Sequence, residues 1–214
     1  MTEGPDHDAA PVALVPSTGS FDDWDPWTPR EAADRLRGID VPWCVTAGWA
    51  IDVFLGRQTR EHEDLEVAIP DTAWPQVRDR LSDLEFVVAG DGLWELSESS
   101  LAAHFQTWGR DSTGAFRVDF FRDVHDGDTW ICKRETSIRR PYAELIRTTD
   151  DGIPYMSPEV VLLFKAKHAR DKDVADLEHC LPLLTADEVA FLADGIARIH
   201  PGHPWLERLA LPER

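Results

Sequence analysis

Apolar and polar positions along this chain change period several times, and each change marks an element. Thr28-Pro29-Arg30-Glu31 has the form of a capping box with proline in the first turn, so a short helix is expected to run to about Arg37. Trp43-Cys44-Val45-Thr46 is β-rich and ends at Ala47-Gly48. From Trp49 to Leu55 the apolar residues take helical spacing, which stops at Gly56. Leu65, Val67 and Ile69 then alternate with Asp64, Glu66 and Ala68, the period of a half-buried strand. Asp71 is placed to cap a helix over residues 72–82. Strands are expected at Glu85–Ala89, Leu93–Leu96 and Phe116–Phe121, with a further short one at Thr129–Cys132.

After Pro154 the pattern turns helical. Ser157-Pro158 opens a helix to about Ala169, residues 173–183 form a second, and the capping box Thr185-Ala186-Asp187-Glu188 starts a third that ends near His200-Pro201-Gly202. The expected fold is α/β (α+β): a mixed sheet with flanking helices over residues 27–154, then a small helical C-terminal domain over 155–214. Residues 1–26 are acidic and contain no Lys or Arg, so they read as a flexible arm whose end, near Trp24 and Trp27, docks on the domain.

Charge changes the picture more than length does. The formal net charge is −18 over 214 residues. A field of that sign repels nucleic acid and anionic membrane and attracts cations, including polycationic small molecules. Three cysteines with no CxxC pair fit reduced, buried thiols. No signal peptide is legible, and no apolar stretch reaches the roughly 18 residues of a membrane span, so a soluble, cytoplasmic protein without membrane partners is expected.

The chemistry concentrates in Thr46-Ala47-Gly48-Trp49 and Asp64-Leu65-Glu66-Val67. Carboxylates at i and i+2 of a strand project from one face, and two acids held that close repel unless a cation sits between them. Such a pair suits Mg²⁺, which takes one or two carboxylates and leaves its other positions to water and phosphate. A glycine before a helix lets the backbone approach a phosphate at the helix N-terminus. Asp119, in Arg117-Val118-Asp119-Phe120-Phe121, supplies a third acid as metal ligand or as the base that accepts a hydroxyl proton. One D-x-E alone is usually the solvated face of an edge strand. Here the glycine turn and the third in-strand acid agree with it.

The run AGWAIDVFLGRQTREHEDLEVAI resembles the nucleotide-transfer motif of the aminoglycoside adenylyltransferases and lincosamide nucleotidyltransferases, members of the DNA polymerase β-like superfamily. That motif reads G-G-W-x-x-D, then G-R-x-T-R-x-H-x-D followed by a hydrophobic residue and Asp or Glu. The chain departs from it at Ala47, where the first glycine is usual. The resemblance implies two Mg²⁺ ions held by Asp64, Glu66 and Asp119, with ATP or another NTP as co-substrate. It implies in-line attack of an acceptor hydroxyl on the α-phosphate and release of pyrophosphate. Gly48, Trp49, Arg60, His62, Lys165 and Lys172 are the candidate nucleotide-binding residues. The acceptor expected is a small cationic molecule such as an aminoglycoside, lying in the cleft between the two domains. Two alternatives stay open: a toxin-like enzyme acting on tRNA or protein, and a silent nucleotide-binding relative.

Overall fold

The capping box at Thr28 forms. The Thr28 hydroxyl accepts from the Glu31 amide, and the Glu31 carboxylate accepts from the Thr28 amide at 2.7 Å. It opens α1 (Pro29–Arg35), followed by β1 (Cys44–Val45) and α2 (Ala47–Leu55), which Gly56 ends with a left-handed φ of 66°. Then come β2 (Glu66–Pro70), α3 (Trp74–Arg80), β3 (Glu85–Ala89), β4 (Leu93–Glu95), α4 (Glu98–Ala103), β5 (Gln106–Arg110) and β6 (Phe116–Asp123). A small hairpin region holds β7 (His125–Asp126), β8 (Thr129–Ile131) and β9 (Arg139–Pro141). After it follow α5 (Tyr142–Leu145), β10 (Ile146–Thr148) and β11 (Pro154–Met156). The chain closes with α6 (Pro158–Lys165), α7 (Asp171–Cys180), α8 (Ala186–Ile199) and α9 (Trp205–Leu209). This computed structural model describes residues 14–210.

Eight strands make one mixed sheet in the order β10-β11-β1-β2-β6-β5-β3-β4, and β7-β8-β9 form a second, small sheet. β1 and β11 run parallel, as do β2 and β6, and the other pairings in the large sheet are antiparallel. β2 therefore lies at the centre. Val67, Ala68, Ile69 and Pro70 are all buried, so the strand is covered on both faces rather than half-buried as its alternation suggests. β5, between β3 and β6, escapes the sequence pattern because Trp108 is the one large apolar residue in Gln106-Thr107-Trp108-Gly109-Arg110. Asp71 makes no side-chain cap. It begins a 3₁₀ turn, Asp71–Ala73, that feeds α3.

Two expected boundaries need correction. Residues 14–26 do not form a free arm. The Val15 carbonyl accepts from the Glu95 amide and the Ser17 amide donates to Leu93, both at 2.8 Å, which adds a strand-like edge to β4. Farther on, the Phe116 amide donates to Asp23 and the Trp27 amide to Arg117, so this segment lies beside the start of β6. Trp24 seals it against Trp108, at 5.0 Å between ring centroids, and against Phe116. Unpaired strand edges and a large aromatic surface outweigh the arm's polar composition. Residues 1–13 of the arm lie outside the described residues.

A division at residues 154–155 cuts β11, a strand of the main sheet. The helices after it share the N-terminal half's core: Val160, Leu162 and Leu163 of α6 and Ile196 of α8 belong to the same buried cluster as Ile51, Leu65 and Val67. A Cβ on Gly195 would lie 2.9 Å from a Leu163 methyl, so α8 sits tightly on α6. One continuous core spans both halves.

Candidate active site

β2 and β6 run side by side with Glu66 opposite Asp119. Because side chains alternate, the sheet face carrying Glu66 and Asp119 also carries Phe121 and Asp123. Asp64 sits just before β2, and the Leu65 carbonyl accepts from the Asp119 amide at 2.8 Å, which ties the lead-in to β6. Thr46 donates its amide to the Glu66 carbonyl at 2.9 Å, so the turn into α2 is pinned directly above the same carboxylates.

These elements border a cleft of about 680 Å³. Of the residues singled out in the sequence, Gly48, Arg60, His62, Asp64, Glu66, Lys165 and Lys172 line it. Asp119 does not line it; it sits opposite Glu66 on the neighbouring strand and is 2% exposed. Trp49 does not line the cleft. Its ring stacks on the His62 imidazole with centroids 4.3 Å apart, which places it behind the site as packing rather than as a platform for a base.

Three carboxylates crowd one end. Burial, then the neighbouring charges, raise the pKa values of Asp64 and Glu66. Asp119 is pushed up to about 8, first by burial, with Gln106 pulling the other way by donating to Oδ2 at 2.6 Å. Its Oδ1 is buried and has no hydrogen-bond partner, a costly state for a carboxylate oxygen. Among the described residues no three His, Cys, Asp or Glu side chains converge into a ready-made metal cage. The hard oxygen donors, their mutual repulsion and the orphaned Oδ1 nevertheless fit a divalent cation such as Mg²⁺.

The opposite side is basic. Arg60, Lys133, Arg134, Lys165, Lys167, Arg170 and Lys172 line the cleft, seven of the chain's 22 Lys and Arg residues. Lys165 is held in place, 2.7 Å from Asp176 and 3.3 Å from Asp173, and both acids are buried. Asp173 in turn accepts from the Arg170 guanidinium at 2.8 Å. Asp173 and Asp176 thus serve to order cations. Lys133, Arg134 and Asp123 were missed in the sequence. Lys133 sits 3.0 Å above the Phe105 ring centroid, and burial lowers its pKa to about 8. Asp123 accepts from Trp130 Nε1 at 2.9 Å, and burial raises it to about 6. The one cue was a Lys-Arg pair directly after the apolar Trp130-Ile131-Cys132.

Asp52 ties the middle of the motif together. It is 3% exposed, accepts from the Thr59 hydroxyl at 2.5 Å and meets His62 Nε2 at 2.6 Å. Burial is the main influence on His62 and lowers its pKa. A Cβ on Gly48 would collide with Arg60 Nη2 and lie 2.8 Å from the His62 ring. Glycine is therefore required at residue 48 by this cluster as well as by any phosphate.

Residues 30–128 match the family model for aminoglycoside-2''-adenylyltransferase. The chain resembles these adenylyltransferases over that stretch, 99 residues or a little under half of its length. Its fold is similar to that of the lincosamide antibiotic adenylyltransferase LnuA, solved with lincomycin bound. The TM-score is 0.51 at 18% identity, over 72% of this chain and 95% of that one. It is equally similar to ANT(2'')-Ia in complex with adenylyl-2''-tobramycin, with a TM-score of 0.51 at 16% identity, over 80% of this chain and 94% of that one. No curated protein matches the sequence. No helix among the described residues is long and apolar enough to cross a membrane.

Proposed function

We propose that this nucleotidyltransferase moves a nucleoside monophosphate, AMP from ATP in the first instance, onto a hydroxyl of a small cationic acceptor such as an aminoglycoside. The observation that carries the reading is the division of one cleft into a carboxylate wall and a cationic wall. An NTP needs both: cations for its phosphates, and acids for the metal that accompanies them.

Asp64, Glu66 and Asp119 would hold two Mg²⁺ ions. When bound, these ions supply charge neutralisation at the α-phosphate. Lys165, fixed by Asp173 and Asp176, and Lys172 at the rim would pair with phosphate oxygens, joined by Lys133 and Arg134. The Gly48 amide, at the start of α2, is placed to approach the same oxygens. His62, held by Asp52, braces the segment leading to Asp64. In the transfer the acceptor oxygen forms a bond to the α-phosphorus, the bond to the pyrophosphate oxygen breaks, and Asp119 Oδ1 takes the hydroxyl proton. A carboxylate whose pKa burial has raised is a stronger base than an exposed one.

The decisive assay incubates the protein with Mg²⁺, each of the four NTPs and a panel of aminoglycosides and lincosamides, followed by mass spectrometry. A mass increase of one nucleotide on an aminoglycoside is expected, with pyrophosphate release. Asp64→Asn and Glu66→Gln should lose at least a hundredfold in rate while keeping the fold. Labelling of tRNA with no mass shift on any drug would replace this acceptor with RNA.

A further inference from the structure

A second hollow, of about 500 Å³, opens on the N-terminal side of Asp64. One wall is the N-terminal segment, through Phe21, Asp22, Trp24 and Pro26. The other is His62-Glu63-Asp64, and Trp108 also lines it. His62, Glu63 and Asp64 border both hollows, so the loop carrying a proposed metal ligand is the partition between them. The volume lies within the range of roughly 300–1,000 Å³ usual for small-molecule pockets.

The chemistry of this groove is opposite to that of the cleft. Its lining includes no Lys or Arg, and Asp22 and Glu63 form no ion pair among the described residues. Three aromatic rings complete it: Phe21 packs edge-on against Trp108 at 5.3 Å, and Trp24 against the same ring at 5.0 Å. Phe21 is 48% exposed, an apolar ring left at the rim. Free carboxylates beside aromatic faces favour organic cations, by direct charge and by cation–π attraction. A nucleotide triphosphate, in contrast, would be repelled.

We infer that this groove, built by residues 21–26 against the Asp64 loop, binds the amine-bearing acceptor. It does so across that loop from the nucleotide. The inference rests on the transfer reading proposed above. It moves the acceptor out of the basic cleft between the sheet and the C-terminal helices, where the sequence alone suggests it lies. The N-terminal segment then becomes part of substrate recognition.

The test is calorimetric titration of the full chain with tobramycin and spermine and, separately, with a non-hydrolysable Mg·ATP analogue. It is run on the wild type, Phe21→Ala and Asp22→Asn. Both side chains are exposed, and a thermal melt checks that each variant folds. The expected result is at least a fivefold rise in the Kd of tobramycin in each variant, with analogue Kd within twofold of wild type. Unchanged tobramycin affinity in both variants overturns the groove, as does an equal loss of nucleotide affinity. If the wild type binds the ATP analogue but neither amine, the groove inference falls and the nucleotide-transfer reading survives. If it binds amines at Phe21 and Asp22 but never the analogue, the transfer reading falls instead.

Discussion

Ala47 holds a φ of 51°, a left-handed conformation that costs a residue with a Cβ roughly 1–2 kcal/mol. Glycine would relieve that strain while giving back part of it as chain entropy. Ala47→Gly should therefore raise the melting temperature by about 2 °C, readable by calorimetry. The departure from the family's glycine pair is thus a matter of backbone geometry, which a motif shows only as a missing residue. Asp119 makes a second prediction. Its folded pKa of about 8 lies above the value for an exposed carboxylate, so its ionisation opposes folding. Stability of the metal-free protein should increase as pH falls from about 8.5 toward 6.5, and Asp119→Asn should flatten that slope. Thermal melts across this range in EDTA check the sign; a slope unchanged in the variant would count against it. The Asp64-x-Glu66 pair was legible in the sequence as two acids two residues apart, whereas the place of Asp119 opposite Glu66 depends on the parallel pairing of β2 with β6. Lys133 was not legible, because the β7-β8-β9 sheet brings it to the cleft, and neither was Asp123, which ends β6 two residues beyond the strand expected at Phe116–Phe121.

At the scale of elements, the N-terminal segment was the least legible. Its composition is that of an unstructured arm, and its two functions in the fold, edge pairing with β4 and burial of Trp24, depend on partners some 70 to 100 residues away. Removing residues 1–24 deletes the Val15 and Ser17 hydrogen bonds and the Trp24 packing. Truncating a buried tryptophan costs about 3–5 kcal/mol, and roughly half of that applies to a ring that is only partly buried. The melting temperature should fall by about 5 °C or more relative to a deletion of residues 1–13 alone. Equal melting temperatures for the two deletions would show the contacts to be inconsequential. The helices were legible where capping boxes announce them, as at Thr28 and Thr185. The domain division was not, because hydrophobic periodicity shows that α6 has a buried face but not which strands it covers.

For the whole molecule, the sign of the charge is less informative than its arrangement. The net charge of −18 argues against a broad nucleic-acid surface, yet seven cations line a single cleft. The Kd of a Mg·NTP should consequently rise with added salt, as attraction inside the cleft is screened, and so should that of an amine in the aromatic groove. A nucleotide Kd that falls with salt would place the nucleotide elsewhere. The same segregation has a kinetic side. An approaching nucleotide meets a repulsive far field over most directions and an attractive one only at the cleft mouth, so few encounters begin productively at low ionic strength. Once inside, it is held by groups already fixed, as Lys165 is by its two buried acids. Screening should then quicken arrival and departure together, with departure gaining more. The nucleotide is therefore captured slowly and kept long, while a cationic acceptor, drawn in by the same far field, exchanges faster.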